Sequence, residues 1–257
     1  MNATRPRKRK KDKAATADSF AMGDFRELGK DRLSEMEAAG AEVVEVFRVL
    51  ANTGDNVVGE LLKGQGTFME WDHYPKGDAH DFTSYSQYYY HAHPAEERPG
   101  EHGHFHTFLR PKGMPKGIKP APVADFTMPK DEDDALSHIV GISMDSHGFP
   151  LRMFTTNRWV TGEIWYRAED VCAMVECFVI DHAQPSWPVN RWVGAMLGLF
   201  RPQIEELLVR RDRTIAGWQK QDPATNVFED RDREVTSVME ISVDEQIEKV
   251  ARAQARV

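Results

Sequence analysis

Apolar residues recur at spacings of three and four at both ends of the chain, and this period predicts helices there. The first helix is predicted over residues 22–52 and ends at the Asn-Thr-Gly sequence that follows Ala51. The last helix is predicted to begin at Ser242, because Ser242 and Glu245 have the spacing of a capping box. Four helices are predicted in the second half, at residues 167–178, 186–200, 201–219 and 242–257.

The middle of the chain is rich in aromatic and alternating residues and is interrupted by turn-forming sequences, which predicts strands. The predicted strands are residues 66–71, 84–93, 102–110, 135–144, 149–160 and 233–243. Loops are predicted at residues 72–81, 94–101, 111–134 and 145–148. The strands on either side of residues 94–101 should pair as a hairpin, and those beside residues 145–148 should form a second one.

These elements predict an α+β protein with an antiparallel sheet that contains a histidine-bearing hairpin and is flanked by N-terminal and C-terminal helices. The spacing between strands is typical of hairpins and not of parallel βαβ units. Residues 1–20 are predicted to be a disordered basic tail, and residues 21–257 a single α+β domain.

Charge is unevenly distributed along the 257 residues, whose net charge is −8. Residues 1–13 carry about +6, so the remainder carries about −14. The acidic body argues against specific nucleic-acid binding, although the basic tail could bind anions. No apolar run reaches the ~18 residues of a membrane helix, no secretory signal is visible and there are only two cysteines, so we expect a cytoplasmic protein.

Half of the ten histidines lie in the predicted hairpin. His91 and His93 belong to its first strand, and His102, His104 and His106 to its second. Alternate residues of a strand share a face, and cross-strand neighbours have Cβ atoms about 4.5–5.5 Å apart. The five imidazoles can therefore meet on one face of the sheet, provided that the strand register brings the two sets together.

This clustering predicts a metal site, because burying five imidazoles without partners would cost roughly 1–3 kcal/mol each. Iron and zinc are the metals that we expect first, while imidazole also suits copper, nickel and manganese. Glu97 and Glu101 are candidate carboxylate partners, and with His104 they are the candidate catalytic residues. The chain is therefore predicted to be a metalloenzyme, either an oxygenase or a hydrolase, with a small-molecule substrate that the sequence does not identify.

The segment HAHPAEE, residues 91–97, resembles the first metal motif of the cupin family. That resemblance implies that His91, His93 and Glu97 are metal ligands. The sequence departs from the motif at position 104, where cupins have glycine and this chain has histidine. The second cupin motif is missing.

The segment HGHFHTF, residues 102–108, is similar to the motif of the histidine-triad family. That resemblance implies a metal-independent hydrolase or transferase that acts on phosphoryl or nucleotidyl groups, with His104 as the nucleophile. Gly103 and Thr107 replace the usual apolar residues, and the usual upstream glutamine is absent.

From about residue 25 onward, the chain also resembles an uncharacterised bacterial family that carries the segments QYYYHAHP, EHGHFHTFLR and FTTNRWVTGE. This resemblance implies no activity. A metal- or pH-responsive regulatory protein therefore remains a further alternative, since histidine titrates near pH 6.5 and the basic tail could bind an acidic partner.

Other polar residues could support the site. Tyr89 and Arg158 are candidate substrate-binding residues, Tyr89 because it shares a strand face with His91, and Arg158 because a guanidinium can bind an anion. Arg158 could equally form a structural pair with a glutamate. The loop at residues 72–81 offers further ligands or outer partners at Asp72, His73, Asp78, His80 and Asp81. His138 and His182 are expected to matter less, unless the fold returns them to the site.

Overall fold

The computed structural model describes residues 25–123 and 127–256 of the chain. The predicted basic tail, residues 1–20, lies outside the described residues, and the assignment of one domain to residues 21–257 stays a prediction. In the described part, strands that follow one another in sequence are neighbours in one antiparallel sheet. Its strands are β1 (Tyr74–His80), β2 (Ser86–His91), β3 (Gly103–Leu109), β4 (Ser137–Met144), β5 (Pro150–Thr156) and β6 (Val235–Glu240).

Helices precede and follow the sheet in the chain and also connect β5 to β6. They are α1 (Lys30–Ala51), α2 (Val57–Leu62), α3 (Arg158–Thr161), α4 (Ala168–Val175), α5 (Trp187–Leu199), α6 (Arg201–Gln221) and α7 (Val243–Gln254). The side chain of Ser242 caps α7 by accepting the Glu245 backbone N–H, as predicted. The predicted α+β class is confirmed, with helices at both ends and a histidine-bearing hairpin formed by β2 and β3.

One face of the β2–β3 hairpin packs against the helical layer. The hydroxyl of Tyr88 donates a hydrogen bond to Asn190 of α5 at 2.6 Å. The ring of Phe105 lies 5.4 Å from that of Trp192, which also contacts Phe47 of α1. Because Tyr88, Phe105 and Trp192 are fully buried, this face supplies the apolar core that holds the sheet to the helices.

The other face carries the histidines. His91 lies opposite His104, and Tyr89 lies opposite His106, in the β2–β3 register. Across the next strand pair, His104 lies opposite Ser143 of β4. Since residues directly opposite each other project to the same side of a sheet, the register places these side chains on a common face.

The first strand was predicted in the wrong place. Residues 66–71, predicted as a strand, are irregular, and most of the predicted loop at residues 72–81 forms β1. Pro75, Gly77 and Asp78 made this segment look like a loop, and the last two do have positive φ angles. However, β1 lies at the edge of the sheet, where the ladder breaks between Tyr74 and Ala79, so proline and glycine are tolerated there.

Candidate metal centre

The structure brings three of the predicted ligands together. His91, His93 and His104 each offer a ring nitrogen, and these nitrogens all lie within 4.8 Å of one another. A metal bound by imidazoles at about 2.0–2.1 Å in tetrahedral geometry holds its nitrogens about 3.3 Å apart. The three rings therefore need only small adjustments to coordinate a common ion, and the cluster could hold a metal.

Two of these rings already contact each other directly. Nε2 of His91 lies 2.7 Å from Nε2 of His104, a hydrogen-bond distance. Nδ1 of His104 lies 2.6 Å from Oε1 of Glu101. Because a carboxylate can only accept hydrogen bonds, Nδ1 of His104 carries the proton and its Nε2 presents a lone pair toward His91. His91 then donates from Nε2, and this proton must leave that nitrogen before a metal can bind there.

The Glu101 carboxylate fixes the orientation of the His104 ring. Its Oε2 accepts a hydrogen bond from the Ser143 hydroxyl at 2.6 Å, so both carboxylate oxygens have partners. The side chains of Glu101 and His104 are only 3% and 1% exposed. A buried carboxylate that holds the far nitrogen of a histidine is the arrangement that orients metal-binding imidazoles and makes them more basic.

Arg98, from the loop between β2 and β3, covers this cluster. Its guanidinium lies 5.3 Å from the ring centroid of Phe154, pairs with Glu234, and has Nε 4.0 Å from Oε1 of Glu101. The Phe154 ring can lie across the sheet because its cross-strand neighbour is Gly141, where a Cβ atom would approach the ring to 2.5 Å. Arginine and phenylalanine thus reduce the access of water to the side of the cluster nearest His104.

Burial keeps the three imidazoles neutral. It lowers the pKa of His91 to about 2, with the neighbouring imidazoles of His104 and His93 adding to the effect. Burial also lowers the pKa of His104 well below its usual range and lowers that of His93, with Arg98 contributing to both shifts. Only neutral imidazole has a lone pair for a metal, so these environments favour coordination at neutral pH.

His106 and His138 form a second pair beside the cluster. Nδ1 of His106 lies 2.9 Å from Nε2 of His138, and the His106 ring centroid is 4.8 Å from that of His104. Burial, with Arg211 adding to it, lowers the pKa of His138 to about 3. Oε2 of Glu163 accepts the backbone N–H of His138 at 2.8 Å, and burial raises the pKa of this carboxyl group to about 8. His106 therefore lies next to the three candidate ligands but is already engaged with another histidine.

His102 does not join the cluster. It precedes β3, so the alternation that orients His104 and His106 does not extend to it. Its Nδ1 lies 2.6 Å from the hydroxyl of Tyr90, and its ring stacks against Phe68. The expectation that His102, His104 and His106 share one face therefore holds only for the two histidines inside the strand.

The predicted carboxylates differ in their surroundings. Glu101 is buried against His104, whereas Glu97 is 40% exposed and its Oε2 lies 3.5 Å from Nδ1 of His93. The cupin-like spacing therefore places Glu97 near His93 but outside the group of three histidines that could share a metal.

The predicted substrate-binding residues also differ. Tyr89 lies on the histidine face, and its ring stacks on that of His73 with centroids 3.6 Å apart. Arg158 instead pairs with Glu229 and donates to the backbone carbonyl of Glu163. Arg158 therefore forms an Arg–Glu pair, as in the structural alternative. Its partner, Glu229, is distant in sequence.

None of the loop residues suggested at 72–81 belongs to the group of three histidines that could share a metal. Nδ1 of His73 lies 3.1 Å from Oδ1 of Asp78, and the other oxygen of Asp78 accepts from Gln87. Asp81 accepts backbone N–H groups at residues 83, 84 and 181, which gives it a structural role. The ring of His80 contacts Phe82. Asp72, His80 and His182 are not among the residues that could share a metal.

Sequence reasoning overlooked Arg98, Ser143, Phe154 and Glu234, and expected His138 to matter less. The fold returns His138 to the site because β4 pairs with β3, and the predicted strand at residues 135–144 contained this signal. Arg98 lies in a predicted loop, and nothing in the local sequence indicates that its side chain folds back over the strands.

The fold and the site define an α+β protein with a partly buried histidine cluster that could hold a metal ion. A family model described as a domain of unknown function (DUF6969) matches residues 37–241, and the chain belongs to this family. No curated protein and no solved structure matches this chain. The expected membership of an uncharacterised family is thereby confirmed, while the local likenesses to cupins and histidine-triad proteins are not confirmed.

Membrane insertion was not expected from the sequence. Of the helices in the described residues, none combines the length and the apolar character that crossing a bilayer requires.

Proposed function

We propose that this protein binds a divalent transition metal through His91, His93 and His104 and uses it as a metalloenzyme. The observation that carries the proposal is the joint arrangement of these rings and Glu101. Three imidazole nitrogens converge within 4.8 Å, and a buried carboxylate holds the ring at their centre by its other nitrogen. This contact fixes the His104 tautomer whose Nε2 lone pair faces the cluster, as carboxylates do for metal-binding imidazoles.

Zinc is the metal that this donor set favours. Catalytic zinc sites typically have three protein ligands and an open position, and three histidines form such a set. Non-haem iron sites typically have two histidines and a carboxylate. Here both oxygens of Glu101 are engaged by His104 and Ser143, so an iron site of that type would require Glu97 to move inward.

Bound zinc would lower the pKa of a coordinated water to near 7 and would thus supply a hydroxide nucleophile at neutral pH. His91 and His93 are partly exposed whereas His104 is buried, so we propose that a small substrate approaches from the side of His91 and His93. Glu101 and Ser143 hold His104 in the tautomer that binds a metal. The positive charge of Arg98 acts on both His93 and His104, so Arg98 would add favourable charge near an anionic transition state at this centre. We therefore propose a hydrolase acting on a small molecule, in a cytoplasmic setting.

The metal-independent alternative is less well supported. A histidine-triad mechanism would need His104 to attack phosphorus with a free nitrogen. Nε2 of His104 instead contacts His91, and its Nδ1 contacts Glu101. The regulatory alternative depended on histidine titration near pH 6.5 and on the basic tail, and that tail lies outside the described residues.

Metal analysis of protein purified without a histidine tag tests the proposal. We expect near-equimolar zinc after reconstitution and dialysis, a strong loss of zinc in His104→Ala, and full retention in the control His182→Ala. The enzymatic part predicts zinc-dependent hydrolysis of an activated ester such as 4-nitrophenyl acetate, which His104→Ala abolishes. Failure of the wild-type protein to retain zinc or iron after reconstitution would contradict the proposal.

A further inference from the structure

A short apolar segment, residues 68–71, lies exposed beside the candidate metal centre. Phe68, Met69 and Trp71 are 36%, 56% and 53% exposed, although large apolar side chains are usually covered. Consecutive exposed apolar residues of this kind often mark a surface that binds a ligand or a partner.

The segment is held in place by hydrogen bonds. The hydroxyl of Tyr74 accepts the backbone N–H of Met69 at 2.6 Å and donates to the carbonyl of Thr67 at 3.2 Å. The backbone N–H of Trp71 donates to the carbonyl of Ala92 at 2.9 Å, directly beside His93. The apolar side chains are therefore presented by a fixed backbone.

Trp71 has an unusual backbone conformation. Its φ angle is +71°, in the left-handed region that bulky residues rarely occupy. Glycine would adopt this conformation without strain. Strained residues of this kind concentrate at functional sites, where the surrounding structure maintains them. A tryptophan at this position therefore calls for a role of its side chain.

The Trp71 side chain adjoins the metal centre. Its ring centroid lies 4.1 Å from that of His93, one of the three histidines that could share a metal. Phe68 lies on the same segment and contacts the ring of His102. A ligand bound at this centre on the side of His93 would therefore lie beside the exposed Trp71 ring.

We propose that Trp71 forms the binding wall for a flat apolar group of the substrate. This inference rests on the proposed function, because the metal centre is what places the reacting end of the substrate beside His93. It adds a substrate class, namely small metal-binding molecules that carry an aromatic or other planar apolar substituent.

Two hydroxamic acids serve as probes, because both chelate zinc through the same group and differ only in the substituent. Benzohydroxamate carries a phenyl ring and acetohydroxamate a methyl group. Their dissociation constants are measured by calorimetry on zinc-loaded wild-type protein and on Trp71→Gly, Trp71→Phe and Trp187→Ala. Trp187 is the matched control, since it is 54% exposed but lies on α5 in the helical layer.

We expect wild-type protein and Trp187→Ala to bind benzohydroxamate at least about fivefold more tightly than acetohydroxamate, the gain typical of aromatic contacts. Trp71→Gly should lose this preference while keeping its zinc, and Trp71→Phe should restore most of it. The melting temperature of Trp71→Gly should equal or exceed that of the wild type, because glycine relieves the strained φ angle.

Two results would overturn the inference while leaving the metal centre intact. One is equal affinity of zinc-loaded wild-type protein for both probes, and the other is an undiminished preference in Trp71→Gly. If the wild-type protein does not retain zinc, the proposed function itself fails, and the inference fails with it. Zinc content, measured on every sample, distinguishes these cases.

Discussion

The two faces of the β2–β3 hairpin are formed by the same strands but differ in chemistry: one is apolar and the other carries the histidines. On one face Tyr88, Tyr90 and Phe105 pack into the helical layer. On the other face the alternating positions hold Tyr89, His91, His104 and His106. His104 forms polar contacts there with His91 and Glu101. The first face is explained by burial of apolar area, at about 25 cal/mol per Å². The second face requires another explanation, because burying its imidazoles costs free energy.

The comparison teaches that burial alone does not define a core. His104 and His106 are as buried as Phe105, yet each imidazole gives up hydration and must find a partner. The partners found are other histidines and Glu101, which makes the stability of this face dependent on protonation and on bound ions. We therefore expect the two faces to respond differently to mutation, pH and metal.

The largest effect on stability is expected on the apolar face. Phe105→Ala should lower the free energy of unfolding by about 3–5 kcal/mol, because it leaves a cavity beside Trp192 and Tyr90. The loss should be the same with zinc and with chelator, as measured by urea denaturation. A loss that disappears when metal is removed would show that the two faces do not act independently.

Lowering the pH should weaken the histidine face of the metal-free protein. Burial holds the pKa values of four imidazoles below the unfolded value of about 6.5, namely those of His91, His104, His106 and His138. The unfolded state therefore binds more protons below pH 6.5, and stability is lost as the pH falls. Each group contributes about 1 kcal/mol of loss between pH 7 and pH 5.5.

Glu163 opposes this loss and provides a control. Its pKa is raised to about 8 from 4.5, so it contributes stability that is lost as the pH rises between these values. Wild-type protein should therefore lose only about 3 kcal/mol from pH 7 to pH 5.5, whereas Glu163→Gln should lose about 5 kcal/mol. Denaturation in the presence of chelator measures both. A flat profile in Glu163→Gln would mean that these imidazoles are not buried as described.

The Glu101 carboxylate, which contacts Nδ1 of His104, should strengthen the binding of a metal at this site. Glu101→Gln should weaken zinc binding by about 10–100-fold, because a neutral amide makes the His104 imidazole a poorer ligand. Glu97→Gln is the matched control, since Glu97 is more exposed and only 3.5 Å from His93, and it should change little. Competition with a chromophoric chelator measures both constants. A larger effect of Glu97→Gln would favour a site with a carboxylate ligand.

The smallest effect is expected at His102. His102→Ala removes a hydrogen bond to Tyr90, and should therefore cost about 1 kcal/mol of stability. Zinc affinity should remain unchanged, because His102 lies outside the group of three histidines. The same titration tests this expectation, and a marked loss of affinity would place His102 in the site after all.

Local patterns predicted the hairpin and the sharing of a face by His91, His104 and His106, because strand alternation depends only on neighbouring residues. They also predicted the second hairpin, β4 with β5. They misplaced β1, because an edge strand tolerates proline, glycine and a bulge that resemble a loop in sequence. The sequence could not predict that Arg98, Ser143 and Phe154 would surround the cluster, since these contacts depend on strand order and on the path of a loop.

The central claim is that the histidine face is a metal site and not merely an unusual core. Thermal melts of untagged, zinc-reconstituted protein with and without chelator test it most directly, with His93→Ala as the comparison. At metal concentrations far above the dissociation constant, we predict that chelation lowers the wild-type melting temperature by about 10 °C. It should barely affect that of His93→Ala, whose metal-free stability should match the wild type within about 1 kcal/mol, since the hydrogen bond that His93 forms within the described part of the chain is long. If chelation leaves the wild-type melting temperature unchanged while His93→Ala and His104→Ala both lower it, the histidines are structural and the account is wrong.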